Sequence, residues 1–264
     1  MTTNLMIGIP SLTDSTSSSV STTGTFESAR PVTNLISGGR SRLGRISTAN
    51  TGFTVTFDTG SAASRTIDYL YIAKANIIKA QLATRLKLAG GTSGDIAGVS
   101  TTLQSLTLYG RNSQDALFTS ELANTAVGSL SNTATNQTYI LTVGQSGVDP
   151  STKWALSQVM FGQWFDFGRD PIVGSLKYTF ETDPRAREAA TLFTFTWEGI
   201  SKTVKDSAIS SLVRYREKGC ILYTRTLHSP LLNRRVVHAL LDAYEVTYAA
   251  EGSYNMTIRF REQI

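Results

Sequence analysis

Apolar and polar residues alternate over short stretches along most of the chain, the two-residue period of half-buried strands. In "FTVTF" this places Phe53, Val55 and Phe57 on one face. "TIDYLYIA" (residues 66–73) is almost continuously apolar and reads as a buried strand. "LATRLKLAG", "LQSLTLYG", "TYILTV" and "KWALSQVMFG" follow, separated by turn residues such as Asp58-Thr59-Gly60, Gly90-Gly91 and Gly144. Short strands with this punctuation predict a β-sandwich. No helical period persists in this half, although "DALFTSELANTAVGSL" has room for a short helix.

The pattern changes near "FDFGRDPIVGS", where Arg169-Asp170-Pro171 marks a boundary, because proline biases its predecessor away from helix. "SLKYTFE" and "LFTFTWEGI" then read as strands, the second with Phe193, Phe195 and Trp197 on one face. In "SKTVKDSAISSLVRYREKG" the period lengthens. Val204, Ala208, Leu212 and Tyr215 form one helical stripe, with Ser201 placed to cap its start and Gly219 to end it. "CILYTR" is another strand. The last two alternating runs carry Tyr244, Val246, Tyr248 and Tyr254, Met256, Ile258, Phe260; "AAEGS" joins them as a β-hairpin. This half is an antiparallel sheet with one helix upon it.

Residues 1–27 stand apart. They contain no Lys or Arg before position 27 and are rich in Ser and Thr. Such a segment buries little by itself. It is either a disordered tail or an arm that orders against a neighbouring subunit; "NLMIGIP" gives it an apolar anchor, which favours the arm. The expected division is therefore an arm at 1–27, a sandwich at 28–168 and an α+β domain at 169–264.

Composition supports strands over chemistry. Charged residues are 17% of the 264, below the usual quarter, and Ser, Thr and Gly take their place. The net charge of +5 raises nucleic acid as a partner, but the basic residues are scattered, and Arg259 and Arg261 alternate with apolar residues as a solvated strand face does. No specific nucleic-acid partner is expected. The one local cluster, Arg40, Arg42 and Arg45 in "GGRSRLGR", can touch an acidic group. With a single cysteine, Cys220 in an apolar run, no internal disulfide exists and a buried inert thiol is expected. The chain shows no basic start with an apolar core like a secretory signal, and no apolar run approaches the ~18 residues of a span.

No catalytic or metal constellation stands out. His228 and His238 lack neighbouring ligands, no Gly-x-Ser-x-Gly elbow or phosphate loop occurs, and Asp58, Asp68, Asp95, Asp115, Asp166, Asp170 and Glu198 are not paired locally. The expectation is no enzyme, no cofactor and no metal. Tyr69, Tyr71, Tyr109, Trp154 and Trp164 could form a sugar platform, but aromatics at strand spacing fill cores more often. Trp164 and Phe165, beside the junction, are the exceptions expected to be exposed; with Arg169, Trp164 completes the candidate contact set.

The stretch from Asn34 to Ile77 resembles the start of galactose-binding-like, discoidin-type jelly rolls: a strand ending in Phe57-Asp58-Thr59-Gly60, a turn, then Ile67-Asp68-Tyr69-Leu70-Tyr71-Ile72. It departs from them at Gly44-Arg45-Ile46-Ser47, where such lectins often carry tryptophan. "IDYLYIAKANI", and the order Phe-x-x-x-Trp strand, helix, strand and hairpin ending in Arg259-Phe260-Arg261-Glu262, look like tail and baseplate proteins of tailed bacteriophages. The resemblance implies a mainly β protein with an N-terminal jelly-roll β-sandwich and a smaller α+β domain. It further implies a structural protein of the virion tail, made in the host cytoplasm. That protein would assemble as a ring or trimer with other tail proteins, or, alternatively, bind a host-surface glycan.

Overall fold

The computed structural model describes residues 5–10, 19–37, 42–48, 53–58, 65–66, 68–73, 86–91, 101–102, 116–119, 135–136, 138–143, 153–172, 175, 177–181, 190–214, 216, 219–224 and 236–262. In chain order the first elements are β1 (Leu5–Ile9), β2 (Ser19–Thr22), α1 (Asn34–Ser37), β3 (Gly44–Arg45), β4 (Phe53–Asp58), β5 (Arg65–Thr66) and β6 (Tyr69–Ile72). Next come β7 (Leu86–Gly91), β8 (Thr101–Thr102), β9 (Ala116–Thr119), β10 (Thr135–Asn136), β11 (Thr138–Val143), β12 (Ala155–Leu156) and β13 (Val159–Phe165). The remainder is β14 (Lys177–Glu181), β15 (Ala190–Ser201), α2 (Lys202–Arg214), β16 (Cys220–Thr224), β17 (Val236–Ala250) and β18 (Ser253–Glu262). The fold class is mainly β, an antiparallel β-sandwich of jelly-roll type followed by a smaller α+β unit.

The chain divides into two compact units, Ser11–Gln163 and a second made of Met1–Pro10 with Trp164–Ile264. The boundary lies at Gln163/Trp164, against the expected 168/169. The larger difference is at the start. The 1–27 segment, expected to be an arm for a neighbouring subunit, is divided within its own chain. Leu5–Ile9 pairs antiparallel with β16, from Leu5 opposite Thr224 to Gly8 opposite Ile221. Ser19–Thr22 pairs with β4. The reason is burial: Leu5, Ile7 and Ile9 join the apolar cluster of the second unit, and burying three aliphatic side chains outweighs ordering a short strand.

In the unit Ser11–Gln163, the strand order β2-β4-β11-β7-β8 forms one sheet and β13-β6-β9 lies in another. Phe53, Val55 and Phe57 are all buried, as their alternation requires. Tyr69, Leu70, Tyr71 and Ile72 show no exposure at all, the signature of a strand covered on both faces. One surface feature is electrostatic. Glu27 lies 3.0 Å from Lys153, 3.6 Å from Arg45 and 4.0 Å from Arg30. The Lys153 hydrogen bond, then the three cations, hold its carboxyl below the ordinary 4.5. A carboxyl lowered in the folded state stabilises above its ordinary pKa, and that contribution is lost as pH falls through the lowered value. Glu27→Gln should therefore flatten the fall in stability below about pH 4.5, measured by thermal melts, while leaving stability at pH 7 little changed because the pair is solvated.

In the second unit the order is β14-β15-β18-β17-β16-β1, every pairing antiparallel. Phe193, Phe195, Trp197 on β15 and Met256, Ile258, Phe260 on β18 form the buried face. Helix α2 lies on it through Ala208 and Leu212. Ser201 Oγ accepts from the Val204 amide at 3.3 Å, the expected cap. The hairpin between β17 and β18 closes at Ala250 opposite Ser253, with Gly252 at φ +71°, a conformation that favours glycine.

Candidate functional site

Of the candidate contact set, Arg45, Trp164 and Arg169 make contacts within the chain. Arg40 lies outside the described residues. Arg42 is exposed, and Arg45 on β3 is half-buried beside Glu27. Trp164 is half-buried and packs on Tyr223, ring centroids 5.6 Å apart. Arg169 donates from Nη1 to the Glu198 carbonyl at 2.7 Å, a position left open by Gly199 at φ +65°. Its neighbour Asp170 accepts from the Leu5 amide at 3.2 Å, fixing the entry of β1.

The aromatic platform resolves into core. Tyr69 and Tyr71 are fully buried and Trp154 nearly so, while Tyr109 lies outside the described residues. His238 is buried on β17, and His228 falls outside the described residues. Burial pushes the Cys220 thiol far above its ordinary value, which leaves it protonated and unreactive. Asp166 accepts from the Gly168 amide at 2.7 Å, a turn role. Among the described residues no group of three or more His, Cys, Asp or Glu side chains could hold a metal ion. No helix there is long and apolar enough to cross a membrane.

A feature with room for a ligand among the described residues is on the other face of the second unit's sheet. Strands β15, β18 and β17 bury one set of alternate residues and turn the other set outward. Thr194, Thr257, Arg259, Ala243 and Glu245 of that outward set line an open groove of about 290 Å³, with Tyr244, whose own face is that of Ile258, also on its margin. The register brings them together: Thr194 stands opposite Arg259, and Arg259 opposite Ala243. Thr257 Oγ1 lies 3.0 Å from Thr196 Oγ1. Arg259 Nε donates to Asp242, which sits at the irregularity between Leu241 and Ala243 and also accepts from Arg261 at 3.4 Å. Asp242 thus fixes the Arg259 guanidinium at the groove margin. The lining offers hydroxyl, carboxylate and guanidinium groups, donors and acceptors in one place. Among the described lining residues Glu245 is the carboxylate, and the Asp242 carboxylate stands beside the groove on Arg259. Sequence reasoning read Arg259 and Arg261 as a solvated strand face and gave the other lining residues no site role; period alone does not separate a flat face from a grooved one.

No protein-family model matches the chain, and no curated protein sequence matches it significantly. Solved structures similar to it include chitosan-binding and CBM32 modules and a lectin domain. Chitosan-binding module 1 from the chitosanase/glucanase of Paenibacillus sp. IK-5 is 10% identical, over 58% of this chain and 97% of that one, with a TM-score of 0.38. The lectin domain of lectinolysin, complexed with Lewis B antigen, is 8% identical over 55% of this chain and 92% of its own, TM-score 0.38. The CBM32-1 and CBM32-2 domains of Clostridium perfringens ZmpB, in complex with GalNAc, are 9% identical over 55% of this chain and 34% of theirs, TM-score 0.39.

Proposed function

We propose that the chain is a non-catalytic carbohydrate-binding protein. The observation that carries this reading is the groove on β15, β18 and β17. Its volume, about 290 Å³, suits one or two sugar rings rather than a long chain. Its threonine hydroxyls, the Glu245 carboxylate and the Arg259 guanidinium are the groups that bond ring hydroxyls in both directions. In this reading Glu245 serves as a hydrogen-bond acceptor for sugar hydroxyls. The resemblance of residues 28–168 to galactose-binding-like jelly rolls supports the same class.

The setting we favour is a bacteriophage tail, with the protein made in the host cytoplasm, joined to other tail proteins and touching a host-surface glycan. What supports it is the order of elements in the second unit. Strand with Trp197, helix, strand, and hairpin ending at Glu262 follow one another as the tail-protein resemblance requires.

The test is a glycan array with the full chain, followed by calorimetric titration of chitotriose and N-acetylgalactosamine as first probes. Glu245→Ala and Arg259→Ala should each weaken binding about tenfold, the loss of a hydrogen bond to a charged group. Binding that both variants leave unchanged removes the groove from the reading. No binding to any glycan, with antibody label at the tail tip of particles, leaves a scaffold without a lectin role.

A further inference from the structure

The long strand β17 is unequally protected. Its first part pairs with β16, from Val236 opposite Tyr223 to Ala239 opposite Cys220. Arg216 then donates to the Asp242 carbonyl at 3.3 Å. From Ala243 to Ala250 the only strand beside it among the described residues is β18. Among the described residues, one edge of this stretch therefore presents backbone amides and carbonyls without a neighbouring strand. Such an edge, long and of high β propensity, is a template for another strand. The stretch also carries two of the exposed large hydrophobic residues, Tyr244 at 45% and Tyr248 at 66% exposure. Proteins usually blunt edges with lysine, proline or a cover. Residues 243–250 contain neither Lys nor Pro.

We infer that this edge pairs with the same edge of a second copy, antiparallel about a two-fold axis at Val246. The sequence is self-complementary in that register. Tyr244 of one copy faces Tyr248 of the other, twice, with Val246 against Val246 between them. Cross-strand aromatic and β-branched pairs of this kind favour association. On the opposite face Glu245 meets Thr247, so like charges are kept apart. Shifting the axis to Glu245 would set two carboxylates against each other, which is destabilising. Shifting it to Thr247 would set Tyr244 against Ala250 and forfeit the tyrosine pairs. A two-fold, isologous interface is also the commonest closed form of self-association. The inference does not rest on the carbohydrate reading.

The experiment uses the full chain. Equilibrium sedimentation should give twice 28.6 kDa, and Val246→Lys, which places two cations at the axis, should return it to 28.6 kDa with an unchanged circular-dichroism spectrum. Under mild oxidation Val246→Cys should form covalent dimers readily, since buried Cys220 stays out of the exchange. A mixture of Glu245→Cys and Thr247→Cys chains should cross-link as a heterodimer, while Thr247→Cys alone does so poorly. A wild-type mass of 28.6 kDa overturns the inference. So does Val246→Cys cross-linking no faster than Ser207→Cys on the exposed side of α2, even in a protein that forms larger rings.

Discussion

Ile7→Asp is expected to abolish the cooperative melting of the second unit. Ile7 is 1% exposed, sits in the middle of β1 and pairs with Leu222. Losing an isoleucine from such a core costs about 2–5 kcal/mol even when alanine replaces it. An aspartate adds a charge with no partner in the apolar cluster of Leu5, Ile9, Leu222 and Val237, at several kcal/mol more. The sum approaches the ~5–15 kcal/mol that holds a whole domain folded. Calorimetry and limited proteolysis would read the result: a missing transition and rapid cleavage within residues 164–264. Normal melting with only a sensitive N-terminal segment would mean that Leu5–Ile9 behaves as a detachable arm, the role its sequence first suggests.

That contrast shows where sequence reasoning reaches and where it stops. β15, β17, β18 and α2 were legible because their periods are strict, and for β17 and β18 because one hairpin joins them. Phe193, Phe195 and Trp197 had to share a face, and Ser201 was the evident cap. β1 was legible only as an apolar stretch able to dock. Its destination is β16, more than 200 residues away, and no local period encodes a pairing at that distance. The same limit explains the boundary: the unit that contains Trp164 also contains Leu5. The site was less legible still. Thr194, Glu245, Thr257 and Arg259 belong to three strands and meet only through register, and their polarity made them indistinguishable from an ordinary wet face. The arginines of "GGRSRLGR" stood out by clustering, yet Arg45 is neutralised locally by Glu27, a partner 18 residues earlier in the chain.

Trp197→Ala is expected to be nearly as damaging to the second unit, by a different route. The indole is 1% exposed and stacks on Phe167 with centroids 4.1 Å apart at 16°. Phe195 lies 5.9 Å away on its own strand, and Phe165 meets Phe167 edge-on at 4.9 Å. Removing the largest side chain of this cluster leaves a cavity that three rigid rings cannot close, because ring packing admits few alternative rotamers. The cost should be about 3–5 kcal/mol, which in a unit of this size lowers its melting temperature by more than about 10 °C. Trp197→Phe keeps a ring against Phe167 and should cost less than half as much. The Phe167→Ala, Trp197→Ala double variant should fall short of the sum of the single costs by about 0.5–1.5 kcal/mol, the part specific to the stacked pair. Additive costs would show that the two rings contribute only through the area they bury. A loss below about 1 kcal/mol for Trp197→Ala would mean that β18 and α2 can collapse into the space. In that case Met256, Ile258 and Leu212, rather than the aromatic stack, set the rigidity on which the outer groove depends.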